Sequence, residues 1–96
     1  MSYKVKPFWE TKTIQVLENE IYVVKITGTR ASADEPDTGI CAIIISNKKE
    51  FYSVSEVFIG QIQTKILVRM PANGTLCFTS RDGIRFHVDL EKYVGV

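Results

Sequence analysis

The chain is predicted to fold as a single all-β sandwich of jelly-roll type, with about seven to eight antiparallel strands. Three observations predict it. In Gln61–Met70 the apolar or β-branched side chains fall at Ile62, Thr64, Ile66, Val68 and Met70, and the polar ones at Gln61, Gln63, Lys65 and Arg69. Ile84–Leu90 repeats the pattern, with Ile84, Phe86, Val88 and Leu90 alternating with Arg85, His87 and Asp89. A period of two is how a half-buried strand reads. Turn signals recur at intervals of roughly ten residues, which is sandwich spacing. No window of useful length sets apolar residues at helical spacing, so a helical fold has nothing to build on.

The bulk numbers bound the molecule. A chain of 96 residues makes one domain with one modest core. Its apolar share of 45% and charged share of 24% are those of an ordinary globular protein, which excludes disorder of the whole chain. Twelve basic and eleven acidic side chains leave a net charge of +1. No nucleic-acid partner is therefore expected, since phosphate neutralisation needs a strongly basic surface. A near-zero net charge also leaves little repulsion between copies.

The elements follow in order. Met1–Glu10 reads as an N-terminal arm in which Pro7 permits an edge strand only. Phe8 and Trp9 follow the proline, either as a plug on the core or as contact residues for a partner. Thr13–Leu17 is a strand with Ile14 and Val16 on one face, and Glu18–Asn19–Glu20 is a polar turn. Ile21–Thr27 is apolar on both sides and reads as a central strand, ended by Gly28. Thr29–Gly39 is the one long irregular stretch, small, polar and acidic, and a loop of that length is mobile or functional.

Ile40–Ser46 is apolar on both faces and is expected to be the core strand. Asn47–Glu50 is a charged turn, and Phe51–Val54 a short strand. Ser53–Glu56 matches a capping box, but the β-branched residues after it allow one helical turn at most. Pro71–Gly74 is a strong turn signal. Thr75–Ser80 points Leu76 and Phe78 inward. Arg81–Asp82–Gly83 is expected to be a tight hairpin connection that Ile84–Leu90 closes.

Chemistry has few places to reside. His87 is the single histidine, so any nucleophilic triad must include it. Arg85 and Asp89 share its strand face about 6–7 Å away, close enough for Asp89 to orient it. No nucleophile elbow accompanies it. Asp34, Glu35 and Asp37 cluster in the long loop, either as a solvated acidic segment or as a contact loop, without the spacing of a calcium-binding hand. Cys41 and Cys77 lie in apolar runs, as buried free thiols or as a disulfide. With one histidine they do not complete a zinc site without carboxylates. No cofactor motif is present, and no enzyme is expected. Asn73–Gly74–Thr75 fits the glycosylation acceptor pattern at a turn. No signal peptide opens the chain, and the longest apolar run, Ile40–Ile45, is too short to span a bilayer. A soluble protein of cytoplasmic synthesis, with no membrane partner, is expected.

The C-terminal half carries a likeness. Gly39–Ile45, Gly60, the run Met70–Pro71–Ala72–Asn73–Gly74–Thr75–Leu76, and Gly83, Phe86, Val88 and Leu90 follow one another in an order that resembles jelly-roll carbohydrate-binding modules of the calcium-dependent galactophilic lectin type. The resemblance implies a jelly roll and a sugar ligand. The lectins' calcium loop lies between the last two strands, and here that connection is only Arg81–Asp82–Gly83, with Asp82 as its one acidic residue.

Two functions are therefore expected. The first is a non-catalytic structural or assembly subunit, such as a small viral or phage accessory protein, whose partner is another copy or another protein. The second is a carbohydrate- or small-ligand-binding module with Trp9 or Tyr52 as stacking residue. Contact residues are expected at Phe8 and Trp9, in the loop at Asp34, Glu35 and Asp37, and on the polar face at Arg85 and His87.

Overall fold

A computed structural model describes residues 14–30, 32–80 and 82–94. Seven strands form among them: β1 (Ile14–Val16), β2 (Ile21–Gly28), β3 (Gly39–Asn47), β4 (Glu50–Ile59), β5 (Thr64–Arg69), β6 (Gly74–Ser80) and β7 (Phe86–Lys92). They build two antiparallel sheets, one of four strands in the order β1-β6-β3-β4 and one of three in the order β5-β2-β7. The all-β sandwich expected from the alternating pattern is the architecture found.

Period-two burial explains why these segments are strands. In β2 the buried residues are Tyr22, Val24 and Ile26, and in β3 they are Cys41, Ile43 and Ile45. Leu76 and Phe78 of β6 point inward as expected, and Val16, Val57, Ile59, Val68, Met70, Ile84, Phe86 and Val88 complete the core between the sheets. Each large aliphatic side chain removed from water in this way contributes roughly 1.5–3 kcal/mol. Both inner faces are mainly apolar, with Ser80 as a buried polar residue, so a one-residue slip of a strand would turn its buried set outward.

Three expectations are corrected. The sequence from Ser53 to Glu56 makes no helical turn, because Glu50–Ile59 is one ten-residue strand. A bulge disguises it: Ile43 faces Ser55 while Ile44 faces Ser53, so Val54 is the extra residue and the alternation changes phase. Gln61–Gln63 is a bend rather than strand, and Ile62 is 84% exposed. Thr64 closes this bend by donating its hydroxyl to the Phe58 carbonyl at 3.2 Å. Finally, β6 and β7 form no hairpin. The connection through Asp82 and Gly83 carries the chain from one sheet to the other, so β7 pairs with β2 and β6 with β1 and β3.

Tight approaches fix the corners. Gly28 donates its N–H to the Gly60 carbonyl at 2.7 Å, and a side chain at Gly28 would strike that oxygen. Gly74 has φ +151°, and a Cβ there would lie 2.5 Å from the Ser46 carbonyl oxygen. Only glycine fits where β6 starts against β3.

Candidate functional site

The long loop expected to be mobile or functional is braced. Arg30 pairs with Asp37 at 3.2 Å and donates to the Ser32 carbonyl at 2.9 Å and the Ala33 carbonyl at 3.3 Å. Gln61 reaches over from the bend after β4 and donates to the Asp37 carbonyl at 3.0 Å. Arg85, just before β7, pairs with Glu35 at 3.4 Å. The structure thus brings together Glu35 and Arg85, two of the residues singled out in sequence, while Asp34 stays exposed at the loop surface. Asp82 accepts the Ile40 N–H at 2.8 Å, so this carboxylate holds the start of β3. Glu35, Asp37 and Asp82 each have a structural partner. Among the described residues no group of three or more His, Cys, Asp or Glu converges where it could hold a metal ion.

His87 and Asp89 do meet, with Nε2 and Oδ1 at 3.2 Å. Their side chains are 66% and 63% exposed, so the pair is hydrated and screened rather than enclosed. They lie on the outer face of the three-stranded sheet. The polar residues Lys65 and Arg69 of β5 lie on the same outer face, as expected if the two strands share a sheet. They are not adjacent, because β2 runs between β5 and β7 and places Lys25 opposite both Lys65 and Asp89.

Phe8 and Trp9 lie outside the described residues. Tyr52, the other aromatic considered for sugar stacking, packs against the core and donates its hydroxyl to Glu50. That carboxylate raises the Tyr52 pKa. The cysteines are both free. Cys41 points into the core and Cys77 to the opposite face of the same sheet, so the sheet itself separates the two thiols. Burial pushes the Cys41 thiol up to about 12 and raises Cys77 as well. Thiols so disfavoured as thiolates are poor nucleophiles. Asn73 spends its side-chain oxygen on the Glu18 N–H at 2.7 Å, tying the turn after β1 to the start of β6.

The feature that sequence reasoning missed is the outer face of the four-stranded sheet. On β4 it presents Phe51, 68% exposed, and Phe58, 59% exposed. On β3 it presents Ile40, Ala42 and Ile44, with Ile40 directly opposite Phe58. Cys77 stands opposite Ile44 on the far side of β3, between Thr75 and Thr79 of β6. Thr75 accepts a hydrogen bond from Gln15 of β1. The strands' outward positions among the described residues carry one formal charge, Glu56. The outer face of the other sheet also exposes an apolar residue, Leu67 opposite Val23, but it spreads Lys25, Lys65, Arg69, Asp89 and Glu91 over three strands.

A signal for this face was present in the run Ile40–Ile45. In an antiparallel sandwich each sheet buries one face, so a strand apolar on both sides leaves its second apolar side outside. Phe58 was hidden by the bulge, which breaks the count from Phe51.

No protein-family model matches the chain, no curated protein matches it in sequence, and no solved structure matches its fold. No helix of the described residues is long and apolar enough to cross a membrane.

Proposed function

We propose that this protein is a non-catalytic interaction or assembly module that binds another protein through the outer face of its four-stranded sheet. The observation that carries the reading is the exposure of Phe51 and Phe58 on that face, beside Ile40 and Ile44, with Glu56 as its charged residue. Isolated exposed apolar residues are ordinary on any surface, whereas two exposed aromatics and Ile40 on one face with few charges have the composition of an interface. The absence of a catalytic role fits the remaining chemistry: His87 and Asp89 stand in solvent, and Glu35, Asp37 and Asp82 are engaged in holding backbone and loop.

A photo-crosslinking amino acid placed at Phe58 in the protein's own cell tests the reading. The expected result is a discrete covalent adduct to a protein from position 58, with none from a matching probe at Lys65 on the other outer face. Equal labelling from both positions, or none from position 58, overturns it.

A further inference from the structure

The chemistry of this face selects one occupant. We infer that its partner is a second copy of the same chain, packed face to face about a twofold axis that crosses β4 at its bulge. The inference rests on the interaction reading above and adds the identity of the partner.

Self-complementarity is the first support. A twofold contact must match a surface to itself. Consider an axis lying between two facing sheets and perpendicular to their strands. It keeps each strand over its own copy and exchanges the strand ends. Phe51 and Phe58 lie equally far from the midpoint of β4, between Val54 and Ser55, so each Phe51 meets Phe58 of the second copy. The cross-strand register supports the same axis: the pair Ile40 and Phe58 at one end of the face lies over the pair Ser46 and Phe51 of the second copy. Ile44, beside Cys77, falls close to the axis. The bulge is what makes this work, because its change of phase leaves both phenylalanines pointing outward.

Charge is the second support. The same operation places Glu56 over Ser53 of the second copy rather than over its own duplicate. No like charges are forced together, and the chain's net charge of +1 adds little long-range repulsion. The other outer face would fare worse, since Lys25 and Lys65 already stand opposite each other within one copy.

Area is the third. Four strands at about 4.8 Å spacing and up to ten residues at about 3.3 Å rise give a face on the order of 500 Å² per copy. Two copies then remove on the order of 1,000 Å², the lower threshold for a specific contact and the range of a weak, concentration-dependent dimer. Two symmetric aromatic pairs provide the anchors.

The test is sedimentation velocity on the full chain from low-micromolar to near-millimolar concentration, with three substitution variants and a chain lacking residues 1–9, each checked for folding by thermal melting. The unaltered chain is expected to reach twice its monomer mass. Phe58→Glu and Phe51→Lys are each expected to weaken the dimer by about 100-fold, since each change acts twice across the axis. The double variant Phe51→Lys/Phe58→Glu is expected to recover the dimer, because opposite charges then meet. Both residues are well exposed in one copy, so folding is not at stake in these changes. A dimer that survives Phe58→Glu, or a double variant that stays monomeric, overturns the twofold contact. A dimer that falls apart on removal of residues 1–9 while surviving Phe58→Glu also overturns it and assigns the contact to the arm. A monomer at every concentration that still gives the position-58 adduct to another protein overturns the dimer and leaves the interaction reading standing. A monomer with no such adduct overturns both.

Discussion

Cys41 shows how one atom's surroundings set a property of the whole protein. Its thiol is enclosed in the core, and burial disfavours the thiolate, which lifts its pKa from 9.0 to about 12. The folded pKa is the higher one, so the neutral thiol's contribution is fully present below pH 9.0 and is lost as the pH climbs toward about 12. The loss runs at about 1.4 kcal/mol per pH unit in that window. Denaturant titrations at about pH 8 and about pH 11 check it: the wild-type chain is expected to lose more stability between them than Cys41→Ala, which lacks the group. Equal losses would show that the thiol is not enclosed. That a cysteine in an apolar run would be buried was readable for Cys41. For Cys77 the run was the same kind, but the alternation of β6 turned it to the outer face, where it is half-buried.

At the scale of elements, Glu20 fastens the turn after β1 to the last strand. One carboxylate oxygen accepts the Leu17 N–H at 2.8 Å and the Tyr22 hydroxyl at 3.2 Å, and the other meets Lys92 at 2.7 Å. Its hydrogen bond with Lys92, then the one from Leu17, lowers its pKa below 4.5, and the Lys92 ammonium is raised in return. A lowered carboxylate contributes stability above its unfolded pKa and loses it as the pH falls through the folded one. Denaturation midpoints from neutral pH down past 4.5 are therefore expected to fall more steeply for the wild type than for Glu20→Gln. Parallel curves would mean that Lys92 and Glu20 do not pair in solution. The turn itself was legible as a polar triplet, and Asn19 takes the left-handed φ of 75° that such a turn uses. The fastening was not legible, because Lys92 is seventy-two positions away in a strand of the other edge. The loop after β2 makes the same point: its acidic composition was plain, but its anchors Gln61 and Arg85 come from two other elements.

Across the whole molecule, the two outer faces divide the labour of a sandwich. One is charged on every strand; the other offers Phe51, Phe58 and Ile40, with Glu56 as the one formal charge at the outward strand positions among the described residues. The dimer inferred above therefore has a salt signature. Between low and molar sodium chloride its dissociation constant is expected to change by less than about threefold, because screening acts on charges and this contact has few. An association whose strength changes by orders of magnitude over that range would belong to the charged face, where Lys25, Lys65, Arg69, Asp89 and Glu91 lie. Such a result in equilibrium sedimentation would move the contact to the other sheet.

The sequence by itself determined the class, most of the strands and most of the core, because alternation is a local property that each strand carries along its own length. It also held the trace of a second apolar face in Ile40–Ile45. Which strands become neighbours was decided only in three dimensions. The segment after Asp82 could have folded back on β6, as the short turn suggested, yet its inward residues Phe86, Val88 and Leu90 are used beside β2, where they close the core from the opposite sheet. The bulge in β4 was decided there too, since a one-residue change of phase is defined against the partner strand and not along the chain itself. With those two choices made, Phe51 and Phe58 share one outer face, a placement that no single segment's pattern contains.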